Sequence, residues 1–335
     1  MKIKIFMASA TNILERNILM AFGKGVADWV DKENGPEAAR EDVVMLGRWE
    51  MAGRQDRHFL DHDYTEGYRD CDLAVIFGSW KPREKGTHIT RGSVASQAKN
   101  FVCIETPLLK RETKADNTYW RVGLNGFLRG DAVWPRVDPS LGQQRMSKLG
   151  LAWQGWKNNR NGHIVVALQL PGDASLRGID VNDWALRSIQ NIRGYTDKHI
   201  VVRSHPLTSE RGFETHAELA RNILLSGIQN IRFSDGADTS WEEDLRDAYC
   251  SVTYTSGLAI DSVYQGIPTV ACDPGNFAWG ISTREFQDIT DVRKVDERTI
   301  NEWLGNLAHC QWSLDEMRSG EAWQMLRSIL PATVR

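Results

Sequence analysis

The 335-residue chain has no apolar run long enough to span a bilayer, so no membrane-crossing helix is expected. Its opening stretch, MKIKIFMASA, pairs lysines with a short apolar run. That run is too short for the core of a secretory signal, and the alternation in KIKIF reads as a first β-strand. The five cysteines include no CxxC pair and give no sign of a disulfide framework or a zinc site. There is no GxxxxGK[ST] phosphate loop and no GxSxG nucleophile elbow. The glycine pair in AFGKGVADW lacks the third glycine of a dinucleotide fingerprint. Kinase, esterase and dehydrogenase readings lose their support accordingly. Short-period repeats and low-complexity tracts are missing too. The expectation is a cytoplasmic protein with no metal or other cofactor.

What is present is the composition of a globular protein, 41% hydrophobic and 25% charged, at a length that suits two domains. KIKIFMAS, EDVVMLG, CDLAVIFGS and NFVCIET are short apolar runs ended by polar or glycine turns, and the first is followed by a helix-like stretch. They predict a first βα domain over residues 1–155, with residues 107–160 as an elaborated loop and linker. A second series predicts a domain over residues 156–335. Its strands are GHIVVALQL, KHIVVRSH, NIRFSD, CSVTYT and PTVACD, and it ends in a helical tail. SWEEDLRDA reads as a helix with Ser240 and Glu243 at capping-box spacing. Two doubly wound α/β domains in tandem place a ligand in a cleft between them, at the carboxyl ends of both sheets.

Charge is unevenly distributed. Residues 81–160 carry 15 Lys and Arg against 6 Asp and Glu, while the remainder carries 26 against 38. The basic third also holds Trp80, Phe101, Tyr119, Trp120, Phe127, Trp134, Trp153 and Trp156. Cations interleaved with aromatics suit a polyanion, since phosphates want cations and bases or sugars want flat rings. Solvated charge around core aromatics is the equal alternative.

Four segments of the second half carry chemistry. In CSVTYTSGLAIDSV a strand turns into a helix. Ser256 and Gly257 stand where unpaired amides and the helix dipole favour an anion, and Asp261 follows one turn later, placed for a ribose hydroxyl. Taken alone, a serine N-cap and an exposed helix acid explain this stretch better. LQLPGDASLRG sets Gly172, Asp173, Ala174 and Ser175 in a tight loop after a strand. VVRSHP ends a strand with Arg203, His205 and Pro206, and DPGNFAWGIS follows another. In a βα domain these strand ends share one edge, where a cation, an imidazole and small turns suit a nucleotide diphosphate or a sugar nucleotide.

QLPGDASLRG, then RSHP, then TSGLAIDSVYQGIPTVACDPGNFAWGIS resemble, in that order, the bacterial capsular-polysaccharide glycosyltransferases of the Kdo-transferase kind. The resemblance spans roughly residues 163–285. It implies a GT-B fold and a nucleotide-activated sugar, with Gln169, Asp173, Ser175, His205, Ser256 and Asp261 as donor-site residues. Asp261 stands where that family's helix acid is Glu, and the chain holds a single transferase unit.

The first half should carry the acceptor. Transfer with inversion needs a base for the acceptor hydroxyl. Glu105, at the end of NFVCIETP, is the first candidate, with Asp61 and Asp63 of HFLDHDY second. His58, Asp61, His62 and Asp63 have metal-ligand spacing but sit in a polar stretch best read as a loop. The basic segment makes DNA with hydroxymethylated pyrimidines the favoured acceptor, as in phage DNA-modifying transferases. Lys110, Arg111, Lys114, Trp120, Arg121, Arg129 and Trp134 would form its face. A surface polysaccharide is the alternative acceptor, and a non-catalytic nucleotide-sugar- or nucleic-acid-binding module is the alternative class.

Overall fold

The computed structural model describes residues 1–36, 42–47, 60–61, 67–81, 86–111, 118–211 and 216–332. The chain divides into two compact units. The first comprises Met1–Phe127, Asp131–Leu149 and Leu304–Arg335; the second comprises Leu128–Gly130 and Gly150–Trp303.

Unit 1 is built on a seven-stranded sheet. Its strands are β1 (Ile3–Phe6), β2 (Val43–Leu46), β3 (Leu60–Asp61), β4 (Leu73–Phe77), β5 (Phe101–Glu105), β6 (Tyr119–Leu124) and β12 (Gln311–Ser313). Their spatial order is β12-β6-β5-β4-β1-β2-β3. The five from β3 to β5 run parallel, and β6 and β12 pair antiparallel at one edge. β4 reads LAVIF and is buried at every position, as expected of a parallel strand covered on both faces. The unit's helices are α1 (Ile13–Asn34), α2 (Thr87–Gln97) and α3 (Pro139–Lys148). α9 (Leu314–Arg318) and α10 (Glu321–Ile329) complete it.

Unit 2 is a five-stranded, wholly parallel sheet. It contains β7 (Ile164–Ala167), β8 (Ile200–Arg203), β9 (Ile231–Ser234), β10 (Cys250–Thr253) and β11 (Thr269–Ala271), in the order β11-β10-β7-β8-β9. Its helices are α4 (Val181–Arg193), α5 (Ala217–Leu225), α6 (Trp241–Leu245) and α7 (Leu258–Tyr264). α8 (Glu297–Ala308) contains the division between units, after Trp303. The sequence-derived strands all appear, and Ser240 caps α6 by accepting from the Glu243 amide at 3.2 Å.

Two expectations need correction. The segment 107–160 is not all loop: it contains β6 and α3, the latter starting at Pro139 behind an Asp138 cap that accepts from the Ser140 amide. The C-terminal tail does not close the second domain. From Leu304 onward it belongs to unit 1. Gly25 explains part of this docking. A Cβ there would collide with the Met317 carbonyl oxygen, so glycine lets α1 and α9 approach backbone to backbone. Trp323, fully buried, meets Phe22 and Trp29 edge-on with centroids 6.4 and 6.2 Å apart. A buried ion pair adds specificity. Arg145 of α3 grips Glu316 of α9, donates to the Gln311 carbonyl at 2.6 Å and lies 4.5 Å from the centre of the Trp312 ring. The glycine pair of AFGKGVADW thus serves packing, Gly25 against α9 and Gly23 against Ile5 and Met45 of the sheet.

Candidate functional site

In a wound parallel sheet, ligands bind beyond the carboxyl ends of the strands where the winding direction reverses. Each unit has one such point. In unit 1 it lies between β1 and β4; in unit 2 it lies between β7 and β10.

The two points are furnished differently. At β1/β4 the space is taken by Arg91 of α2, which is 7% exposed. Its Nε donates to the Ser9 carbonyl at 2.8 Å and a terminal nitrogen donates to the Ser79 carbonyl at 3.2 Å. Glu15, almost fully buried, lies 3.6 Å from its other terminal nitrogen. Gly78 (φ 86°) makes room: a Cβ there would stand 2.5 Å from the guanidinium carbon. Burial lowers the Arg91 pKa, and the charges of Glu15 and Glu105 oppose that shift.

At β7/β10 the lining is small and polar. Gln169, just past β7, is the joint. Its amide donates to Ser175 Oγ at 2.6 Å and Thr255 Oγ1 at 3.0 Å, and its carbonyl accepts from the Thr255 amide at 3.0 Å. Thr255 Oγ1 donates to the Ser175 carbonyl at 3.0 Å, so the loops after β7 and β10 are laced together. Asp173 shapes the first loop by accepting from the Ser175 amide at 2.8 Å and hydroxyl at 2.6 Å. Gly172 supplies a left-handed residue (φ 66°) at the exposed tip. Ser256 Oγ accepts from the Leu258 amide at 3.2 Å, and Gly257 caps α7. Gln169, Gly172, Asp173, Ser175, Ser256 and Gly257 therefore meet at one strand edge.

Other residues named from the sequence take different places. Arg203 ends β8 but is turned into the fold. It is 5% exposed and donates to Asp244 Oδ2 at 2.5 Å. Asp244 also accepts from Ser234 and Arg232, which makes it a structural node that sequence inspection missed. His205 is half-buried after β8, its Nδ1 accepting from the Leu207 amide at 3.2 Å. Asp261 is buried within α7 rather than presented to solvent.

Missed as well was Asn276, fully buried after β11. Its side chain donates to Thr253 Oγ1 and the Tyr254 carbonyl, both at 2.9 Å, and ties the β11 loop to β10. The asparagine stood inside the quoted DPGNFAWGIS segment, but nothing local distinguished it.

The proposed DNA face does not assemble. Trp120 is 1% exposed and belongs to the core of unit 1. Trp134 packs its ring on Gly123 of β6. Arg121 lies 3.1 Å from Glu105 as an ion pair, Arg145 is bound to Glu316, and Arg91 fills the β1/β4 point. Arg129 belongs to unit 2, its guanidinium donating to the Pro274 carbonyl at 3.3 Å. Lys110 and Arg111 are exposed, Lys110 in a left-handed conformation (φ 51°), and Lys114 lies outside the described residues. Arg91, Arg121 and Arg145 are spent on acids and carbonyls within unit 1, and Trp120 and Trp134 on packing. The formal charge count could not see this.

Glu105 stands at the carboxyl end of β5, half-buried. Besides Arg121 it accepts from the Thr106 amide and hydroxyl at 3.2 and 3.0 Å. Asp63, His58 and His62 lie outside the described residues, and of Asp61 only its place in β3 is described. Among the described residues no group of three metal-ligating side chains is assembled, and no helix is long and apolar enough to cross a membrane.

The chain matches no family model and no curated protein sequence. Its likeness is one of fold. KpsC of Thermosulfurimonas dismutans, a β-Kdo 2,7 transferase, superposes with a TM-score of 0.50 at 10% identity, over 97% of this chain and 99% of that one. The β-Kdo 2,4 transferase structure of KpsC from the same organism gives 0.45 at 12% identity, over 70% and 78%. The first match covers both units and shows that the mixed α/β architecture is shared along essentially the whole chain.

Proposed function

We propose that this protein is a GT-B glycosyltransferase that binds a nucleotide-activated sugar at the β7/β10 point of unit 2 and passes the sugar to a hydroxyl of a capsule-type surface polysaccharide. The observation that carries the reading is the laced, small-residue strand edge formed by Gln169, Ser175 and Thr255. It is half-open and polar where the equivalent point of unit 1 is filled by an arginine. A nucleotide phosphate needs such close backbone approach and hydrogen-bond donors, and a sugar hydroxyl needs amide and hydroxyl partners. Glu105, at a carboxyl strand end of unit 1, is the base proposed to take the acceptor proton. The fold shared with a β-Kdo 2,7 transferase favours a glycan over a DNA acceptor, and the pairing of Arg121 and Arg145 with acids weakens the charge argument for DNA. The donor is a co-substrate, and the leaving phosphate is met by amides and cations of unit 2.

The test is direct. The full chain is incubated with a panel of nucleotide sugars and with surface-glycan oligosaccharides or hydroxymethylated DNA, and products are read by mass spectrometry. Sugar transfer to an oligosaccharide is expected. Transfer to DNA alone would restore the other acceptor. Failure to bind any nucleotide or nucleotide sugar in calorimetry would overturn the reading.

A further inference from the structure

The loop after β7 ends in an arginine whose backbone is unusual. Arg177 has φ 52° and ψ 38°, the left-handed region that glycine tolerates and other residues enter at a cost. Glycine stands at the next position, Gly178, also left-handed. The conformation is held by the Arg177 amide, which donates to the Ala174 carbonyl at 3.2 Å. It carries the guanidinium to Gly275 in the loop after β11, where a terminal nitrogen lies 3.4 Å from the position a Cβ would occupy. A second arginine reaches the same turn along another path. The amide of Arg129 donates to the Gly275 carbonyl at 3.0 Å and its guanidinium to the Pro274 carbonyl at 3.3 Å. Gly130 keeps this segment close, since a Cβ there would stand 3.3 Å from the Pro274 oxygen. Three stretches distant in sequence, 128–130, 172–178 and 273–276, thus bring two guanidinium groups to one turn beside the Gln169–Thr255 lacing.

One acid shares the corner. Asp273 accepts from the Gly275 amide at 2.7 Å and from the Tyr254 hydroxyl. Burial, together with donation to Asp273, pushes Tyr254 up to about 12, so this hydroxyl stays a donor. Asp273 is therefore engaged in shaping the turn on which the two guanidinium groups converge.

We propose that Arg177 and Arg129 form an anion-binding corner of the donor site and act as specificity-determining residues for it. The proposal rests on the donor-site reading above. The group bound is a phosphate or carboxylate oxygen pair of the nucleotide-activated sugar. Paired guanidinium groups match planar or tetrahedral oxyanions by forked hydrogen bonds, which a lone backbone turn cannot do. A strained arginine next to a glycine is the arrangement expected when the side chain, not the backbone, is what the position serves.

The test uses the full chain with Arg177→Gly and Arg129→Gln, and calorimetry at low salt. The probes are nucleoside mono- and diphosphates and, for the nucleotide bound best, its conjugates with a neutral and with a carboxylate-bearing sugar. Each substitution should weaken binding about tenfold, the scale of one charge-assisted contact. Equal losses for free nucleotide and both conjugates assign the anion as phosphate. A loss confined to the acidic-sugar conjugate assigns it as carboxylate. Arg177→Gly should meanwhile hold or raise Tm, because glycine relieves the left-handed backbone. Unchanged affinities in both variants beside a binding wild type overturn the anion corner and leave the donor site standing. A lowered Tm in Arg177→Gly accompanied by weaker binding overturns it too, as packing. A wild type that binds none of the probes overturns the donor site itself, and the corner with it.

Discussion

The β1/β4 point of unit 1 and the β7/β10 point of unit 2 are topologically alike and chemically opposite. The first is closed by a long cation anchored to two carbonyls and a buried acid. The second is edged by a glutamine, a serine and a threonine that satisfy one another and leave the rim half-exposed. Winding a sheet creates a crevice; the residues that follow its strands decide whether the crevice is structural filling or a place for a ligand.

The comparison can be broken most forcefully at Arg91. Arg91→Ala leaves Glu15 buried without that cation and uncaps two carbonyls, so a loss of about 3–5 kcal/mol is expected in denaturant unfolding. Nucleotide affinity of the folded fraction should stay unchanged; a fall would mean that the unit 1 point also takes part in donor binding. Next comes Glu105→Gln. Removing a general base should lower transfer by about a hundredfold or more with donor affinity intact. Steady-state rates beside calorimetry would check this, and full activity would clear Glu105 of the role. A smaller effect is expected at the unit 2 point. Gln169→Ala should weaken donor binding about tenfold, and loss of the lacing should cost about 1–2 kcal/mol of stability. Donor affinity equal to wild type would detach the lacing from ligand binding.

The smallest effect vanishes at neutral pH. Burial would raise the Glu316 carboxyl, but hydrogen bonds from Arg145, Lys148 and the Ser313 amide outweigh it and hold the group at about 2. A depressed carboxylate contributes stability that is present above its unfolded pKa and lost as pH falls through the folded value. The docking of α9 and α10 should therefore be unaffected from pH 7 to about 5 and weaken between about pH 4.5 and 2. Hydrogen exchange in the tail helices, set against α4 of unit 2, would show it. Glu316→Gln should abolish the acid-specific difference.

Much of the fold was legible in the sequence because parallel strands buried on both faces read as continuous apolar runs. β4 and β7 do so throughout, and β5 and β8 do so up to their last residue. β6 and β12 were not: YWRVGL and QWS are mixed segments, the first paired with β5 on one side, and the two joined to each other across nearly two hundred residues. The tail was read as part of the second domain because nearness in sequence was the sole guide to where its apolar face would be buried. In the site, Asp173 and Ser175 stood out because their polar atoms act within one tight loop, whereas Gln169, bonded to Thr255 across 86 positions, was named through the family resemblance. Arg203 was not legible, because an arginine at a strand end looks the same whether it faces a ligand or a buried aspartate.

The sequence by itself determined the central parallel strands of both sheets, the small-residue loops after β7 and β10, and their polar chemistry, since these follow from local periodicity and turn preference. Tertiary structure alone decided where each cation is used. Arg121 found Glu105, Arg145 found Glu316, and Arg177 and Arg129 met at Gly275. A charge has no fixed function until the chain places its partner, because its energy depends on separation and burial, and neither is written in composition.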